Sequence, residues 1–146
     1  TKLGKAKITS LGWIPREDYN TFLCTANILF LPMIDNTRNR GKWPMKFGDF
    51  LAAGRPVIAS KVGDIVGYFD KSNIGILVSD EVEQLQKSII DLIDNPEKIE
   101  KMSEEARKFA ENQLSWNHQA QLLSDFYSDV YKSKHKGKII NENIIK

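Results

Sequence analysis

Residues 43–60 read WPMKFGDFLAAGRPVIAS, and the rest of the chain can be interpreted outward from this stretch. Its residues 45–53 predict a helix, and Gly54 stands where a helix C-terminal glycine belongs. Residues 57–60 (VIAS) follow Pro56 and form the kind of short run that is typical of a strand buried on both faces. The stretch therefore predicts a helix that leads directly into an interior strand.

The flanking sequence continues this alternation. We predict further strands at residues 8–14 (ITSLGWI), 28–33 (ILFLPM) and 74–78 (IGILV), with helices at 16–26 and near 65–69. From residue 80 onward the pattern changes to three helices, the second opened by Pro96 and the third capped by Ser115. Such alternation predicts an α/β fold, a Rossmann-like parallel sheet with helices on both faces, followed by C-terminal helices.

Composition excludes several classes of protein. The 146 residues, 41% of them apolar, fit one compact domain, and 21 Lys and Arg against 19 Asp and Glu give a net charge of +2. This charge is far from that of a typical nucleic-acid-binding domain, so we expect no nucleic-acid partner. The longest apolar run, residues 28–34, is far shorter than the roughly 20 residues of a transmembrane helix. The single Cys24 can form no internal disulfide, which favours a reducing, cytoplasmic setting.

The end of the chain differs in charge from the rest. Residues 132–146 contain five Lys and one Glu, so we assign the domain to residues 1–131 and a basic, flexible tail to residues 132–146. The alternative is that this tail contacts an anionic membrane surface peripherally.

A basic loop follows the predicted strand at 28–33. Residues 34–44 should lie at the carboxyl end of the sheet, where open parallel sheets bind ligands, and they lead into the helix that begins near Met45. Arg38, Arg40 and Lys42 lie in this loop, and Lys46 lies in the first helical turn. These cations and the free helix N–H groups would suit a phosphate, whereas the alternative is an ordinary solvated basic loop.

Asp49 follows Lys46 by three residues, so both side chains lie on neighbouring parts of one helix face. The Asp49 carboxylate could accept hydrogen bonds from a pair of ligand hydroxyls while the cation holds an anion. The alternative is a surface ion pair between the two side chains.

Residues 43–60 resemble the donor-site segment of family 4 retaining glycosyltransferases, which often reads P-x-K-x-x-E-x-x-A-x-G-x-P-V-I-A-S. Two flanking pieces are also similar: LGWIPREDYNTFLCTANILFLP to G-x-(V/I)-P…A-D-I…L-P, and GILVSDEVEQLQKSIIDLIDNP to G-(L/I)-L-V…L-x-x-A-I…L-L-x-N-P. The resemblance covers roughly residues 8–131. The matching positions in the central segment are Pro44, Lys46, Asp49, Ala52, Gly54, Pro56, Val57, Ile58, Ala59 and Ser60.

The resemblance implies the C-terminal, donor-binding domain of a GT-B glycosyltransferase, truncated at its N-terminus. Such an enzyme transfers a sugar, hexosyl in type, from a nucleotide diphosphate sugar to a hydroxyl acceptor with retention. The acceptor, a glycan or glycolipid, would bind an N-terminal domain outside this chain, and the chain alone would be inactive. The resemblance further implies cytoplasmic glycan biosynthesis at or near the inner face of the membrane, with no cofactor and no metal.

The resemblance also implies roles for individual residues. Asp49 would hold the ribose hydroxyls, and Lys46 would face the diphosphate with support from the backbone N–H groups of Trp43 and Met45. Trp13 and Ile14 match the region that contacts the nucleobase, although a Trp next to a strand end is more often a core residue than a platform for a base.

The family's first acid falls on Gly41, which removes a side chain that usually contacts the donor sugar or its phosphates. No catalytic residue is assigned within the chain. The departure at Gly41 favours an alternative function, a non-catalytic nucleotide-sugar or regulatory binding module.

Overall fold

The computed structural model describes residues 7–142, and for residues 135–142 it describes the backbone alone. Within that range three parallel strands form one sheet in the order β1 (Leu29–Leu31), β2 (Val57–Ser60) and β3 (Gly75–Val78). Leu29 lies opposite Val57, and Val57 lies opposite Gly75. β2 therefore pairs with β1, and β3 pairs with β2. Helices connect the successive strands, as the α/β interpretation predicts.

The described residues form seven α-helices. Between Phe109 and Ser115 the chain makes a π-helical turn, Ala110–Leu114, which is wider than an α-helix. The α-helices are α1 (Arg16–Thr25), α2 (Thr37–Arg40), α3 (Met45–Ala52), α4 (Val66–Phe69), α5 (Val82–Asp94), α6 (Pro96–Phe109) and α7 (Trp116–Glu142).

A hydrophobic core lies on each face of the sheet, because successive side chains of β2 alternate between the faces. The first, which we call the α3-side core, contains Val57 and Ala59 of β2 with Phe47 and Leu51 of α3. The second, the α5-side core, contains Ile58, Val78, Leu92 and Met102. Helices thus cover both faces, which confirms the predicted fold class.

The helix boundaries follow the sequence signals. Gly54, with φ +65°, donates its N–H to the Leu51 carbonyl, as a C-terminal glycine does. Pro96 opens α6, and the Ser115 hydroxyl accepts a hydrogen bond from the His118 N–H at the start of α7. These three predicted helix ends are confirmed.

Residues 8–14 form no strand, so the predicted strand at this position is wrong. A strand needs a neighbour for its backbone N–H and C=O groups, and no described strand lies beside this segment. Ile8 is 92% exposed and Leu11 is also exposed. An apolar sequence pattern cannot by itself supply the partner strand.

α7 includes residues 132–142, within the segment predicted from the sequence to be a flexible tail. Residues 143–146 lie outside the described residues, and the division between domain and tail stays a prediction. No helix within residues 7–142 combines the length and the apolar character that crossing a membrane requires.

Candidate functional site

The candidate site begins where β1 ends and the chain turns toward α3. The Met33 N–H donates a 2.9 Å hydrogen bond to the Ser60 hydroxyl, which is buried at the end of β2. This bond fixes the start of the loop against the neighbouring strand. The loop therefore leaves the carboxyl edge of the sheet, where the sequence predicts a ligand site.

The loop contains a short helix that the sequence does not reveal. Asn36 accepts a 2.8 Å hydrogen bond from the Asn39 N–H and so caps α2, and the Asn39 amide donates to the Ile34 carbonyl at 2.7 Å. α2 packs closely against Gly63, since a Cβ atom at Gly63 would lie 3.1 Å from the Asn39 carbonyl oxygen. The predicted basic loop therefore contains an ordered turn of helix, and that turn packs against Gly63.

Arg40 lies in this loop, but its guanidinium is engaged. It donates to both Asp35 carboxylate oxygens, at 2.5 and 2.7 Å. This hydrogen bonding, helped by the Arg40 charge, lowers the pKa of Asp35, and the same pair raises the pKa of Arg40. Of the predicted basic residues of this loop, Arg40 is thus held by an acid, whereas Lys42 is exposed.

The N-terminus of α3 carries free backbone donors. Pro44 occupies the N-cap position and forms no side-chain cap, and the Phe47 N–H already binds the Pro44 carbonyl. The N–H groups of Met45 and Lys46 make no hydrogen bond to another described residue. The first turn therefore combines two free N–H groups with the exposed Lys46 ammonium, a combination that suits an anion.

Asp49 lies one turn further along α3 and is exposed. No ion pair joins it to Lys46 among the described side chains, so the surface ion pair considered from the sequence does not form. Its Oδ2 instead lies 3.5 Å from the hydroxyl oxygen of Tyr19 on α1. Burial, and after it the Asp49 charge and hydrogen bond, raise the pKa of Tyr19.

Sequence reasoning missed Tyr19 as a site residue. Its helical spacing with Phe22 and Leu23 indicates a core position, and its ring does pack against the α3-side core. The contact of its hydroxyl with Asp49 joins residues 30 positions apart, which no local pattern reveals.

Trp13 and Trp43, the two tryptophans predicted to be site residues, occupy different environments. Trp13 is 85% exposed and therefore not a core residue, whereas Ile14 beside it is half-buried. Trp43 packs edge-on against Phe47 and Tyr68, with ring centroids 5.7 and 5.6 Å away. Gly41 ends α2 and places no side chain in the site.

A cavity of about 630 Å³ lies between α3, the π-helical turn and the start of α7. The side chains of Trp43, Met45 and Trp116 form an apolar wall of this cavity. Asp49, whose carboxylate contacts the Tyr19 hydroxyl, also lines it. Because the residues that line this cavity come from segments far apart in the chain, no local sequence pattern indicates it. In the described part of the chain, no group of three or more His, Cys, Asp or Glu could hold a metal ion.

Comparisons with known proteins bear on the family and on the fold. A family model described as glycosyl transferase-like matches residues 2–125. Among solved structures, sucrose-phosphate synthase from Thermosynechococcus elongatus matches with a TM-score of 0.72 at 21% sequence identity. The match covers 90% of this chain and 32% of that one, so the chain spans about a third of its length. No curated protein sequence is matched.

Proposed function

The chain belongs to the glycosyl transferase-like family, and we propose that it is the donor-binding part of a GT-B glycosyltransferase. The donor would be a nucleotide diphosphate sugar, and the sugar, a hexosyl group, would pass to a hydroxyl acceptor with retention. The observation that carries this proposal is α3, which places an exposed ammonium, an exposed carboxylate and two free backbone N–H groups within its first five residues.

Each of these groups has a role in donor binding. Lys46 and the free N–H groups of Met45 and Lys46 would hold the diphosphate, and Asp49 would accept hydrogen bonds from the ribose hydroxyls. As the bond between the sugar and the diphosphate breaks, negative charge grows on the leaving oxygens. Fixed donors at that point stabilise the developing charge more than they stabilise the ground state.

The order of the strands supports a site at the outer edge of β1. Ligands of open α/β sheets bind where the strand order reverses, beyond the carboxyl ends of the strands. The described strands run β1-β2-β3 without a reversal, so the outer edge of β1, which pairs with no described strand, is a place where a reversal would lie. Loop 34–44 follows β1 and leads into α3, so the proposed site residues Lys46 and Asp49 follow the carboxyl end of β1 in the chain.

The acceptor belongs to a part of the protein outside this chain. We propose that a glycan or glycolipid binds there, at the cytoplasmic face of a membrane that the protein contacts peripherally, and that the chain alone transfers no sugar. Trp13 and Ile14 would border the nucleobase, and we expect no metal to be required.

Titration of the full-length protein with UDP-, GDP- and ADP-sugars tests this function. We expect one of them to bind, and we expect Asp49→Ala and Lys46→Ala each to weaken its binding about tenfold or more, since each removes a charged hydrogen-bonding group. Asp129→Ala on α7 and Lys87→Ala on α5 are matched controls that should leave binding unchanged. Undiminished affinity in both site variants would contradict the assignment.

A non-catalytic nucleotide-sugar or regulatory module is the second candidate. Two observations favour it: Gly41 offers no acid to the donor, and Arg40 is held by Asp35. A transfer assay on the full-length protein separates the candidates, because the enzyme releases nucleoside diphosphate with acceptor present, whereas the module binds the nucleotide sugar unchanged.

A further inference from the structure

The contact between α1 and α3 adds a residue to the site. We propose that Tyr19 is a positioning residue, whose hydroxyl fixes the Asp49 carboxylate for the ribose hydroxyl pair and so sets a preference for ribonucleotides over 2′-deoxyribonucleotides. This inference rests on the proposed function. The observation behind it is the 3.5 Å separation of Tyr19 Oη from Asp49 Oδ2.

The Tyr19 hydroxyl is held in place by the packing of its helix. Its ring is half-buried against the α3-side core, and Leu23, one turn further along α1, is buried in the same core. The Arg55 guanidinium donates to the Cys24 carbonyl and ties the end of α1 to the segment between α3 and β2. A tyrosine side chain has only two rotatable angles before its ring is fixed, so its hydroxyl position is well defined.

Asp49 needs such a partner because little else restrains it. The side chain is exposed, and the Tyr19 hydroxyl is its one hydrogen-bond partner among the described side chains. An ionised carboxylate accepts about four hydrogen bonds on two oxygens, so a bond at Oδ2 leaves Oδ1 fully available to a ligand. Aspartate is also one methylene shorter than the glutamate of the resembling family, which makes its orientation more important for reach.

The direction of the hydrogen bond is set by the tyrosine. Burial and the nearby Asp49 charge raise the pKa of the Tyr19 phenol above its usual value near 10. The phenol therefore stays protonated at neutral pH and donates to the carboxylate. The ligand hydroxyls also donate, so they use the acceptor lone pairs of Asp49 that the Tyr19 hydroxyl leaves open, chiefly those of Oδ1.

An oriented carboxylate discriminates between ribose and 2′-deoxyribose. A site that is built to accept a hydrogen bond from a hydroxyl loses that interaction with an analogue that lacks the hydroxyl. A carboxylate that rotates freely loses conformational entropy when it binds the ribose diol. This cost weakens binding of the ribonucleotide and so lowers its advantage over the deoxyribonucleotide. The ratio of the two affinities therefore reports the orientation of Asp49.

The test is a titration of the full-length protein with UDP, GDP and ADP and with their 2′-deoxy forms. For the nucleotide that binds, the native protein should prefer the ribo form. Tyr19→Phe keeps the ring and removes only the hydroxyl, and we expect it to lower this preference about three- to tenfold by weakening the ribo form. Tyr127→Phe on α7 is the matched control and should leave the preference unchanged.

The possible results separate the inference from the function on which it rests. An unchanged preference in Tyr19→Phe, or equal weakening of both forms, gives Tyr19 a merely structural role and overturns the inference. So does a native protein that binds both forms equally. A native protein that binds none of the nucleotides overturns the proposed function and the inference together.

Discussion

At the scale of single residues, Gly41 is the position where this chain lacks the first acid of the family that it resembles. Its backbone, with φ −94° and ψ 9°, is accessible to any L-amino acid. A Cβ atom there would make an ordinary contact, 3.5 Å from the Thr37 carbonyl oxygen. The fold therefore does not require glycine at this position, and the absence of the acid has no cause in the local packing.

This freedom allows the acid to be restored. We expect the free energy of unfolding of Gly41→Glu to lie within about 1 kcal/mol of the native value. The substitution replaces a flexible glycine with a residue of lower backbone entropy, and its Cβ atom meets no clash. We also expect the nucleotide sugar to gain about three- to tenfold in affinity relative to the nucleoside diphosphate, since the new carboxylate can accept hydrogen bonds from sugar hydroxyls.

Thermal unfolding and paired titrations measure both effects. Gly41→Gln, which has a similar size and no charge, is the control and should give a smaller gain. A lowered melting temperature in both variants would show that glycine is needed for the fold after all.

At the residue scale, local spacing predicts which side chains share an element, whereas their roles in binding stay predictions. Lys46 and Asp49 are recognisable from their spacing on one helix, and the structure leaves both exposed on α3. Arg40 is recognisable as a cation of the loop, but its pairing with Asp35 depends on how α2 turns. The contact between Tyr19 and Asp49 depends on how two separate helices dock, which no short motif encodes.

At the scale of elements, α2 depends on Gly63 for its position. Gly63 has φ +70°, a conformation in which a Cβ atom is strained, and it lies directly against the backbone of Asn39 and Arg40. We expect Gly63→Ala to destabilise the fold by about 1–2 kcal/mol for the backbone strain alone. Displacement of α2 and the basic loop should also weaken nucleoside diphosphate binding.

Gly67→Ala is a matched control for this prediction. Gly67 lies in α4, has an ordinary φ and has no atom near the place of a Cβ, so alanine should be neutral or stabilising by up to about 1 kcal/mol. Chemical unfolding of the two variants measures the difference. Equal stabilities would mean that α2 can move away from Gly63 without cost.

Element-scale prediction works for the longer helices and for the paired strands. The strand 57–60 and the helix starts at Arg16, Met45 and Pro96 agree with the structure. Residues 8–14 have the composition of a strand, yet strand formation depends on a neighbour and not on composition. α2 is too short to show helical periodicity, and only the cap at Asn36 could have indicated it.

At the scale of the whole molecule, α6 joins the two cores. It contributes Ala106 to the α3-side core and Met102 to the α5-side core. A helix that packs into both cores should couple them, so that loss of packing in one core also lowers the stability of the other. The domain is therefore expected to open as one cooperative unit.

Leu92→Ala tests this coupling. Leu92 is fully buried in the α5-side core, and its truncation should cost about 2–5 kcal/mol. Hydrogen exchange, followed by mass spectrometry in the full-length protein, should then become faster in α3 as well as in α5. Leu122→Ala on the exposed face of α7 is the control, and faster exchange confined to α5 and β3 would contradict the coupling.

The sheet order has a consequence for synthesis. Since β2 pairs only with β1 and β3 among the described strands, each new strand docks on one that left the ribosome earlier. Within residues 7–142, no strand waits for a later partner to be inserted between two existing neighbours, a step that slows folding when paired strands are distant along the chain. The three described strands can thus pair in order from β1 to β3 during translation, with the α3 segment already synthesised before β2 emerges.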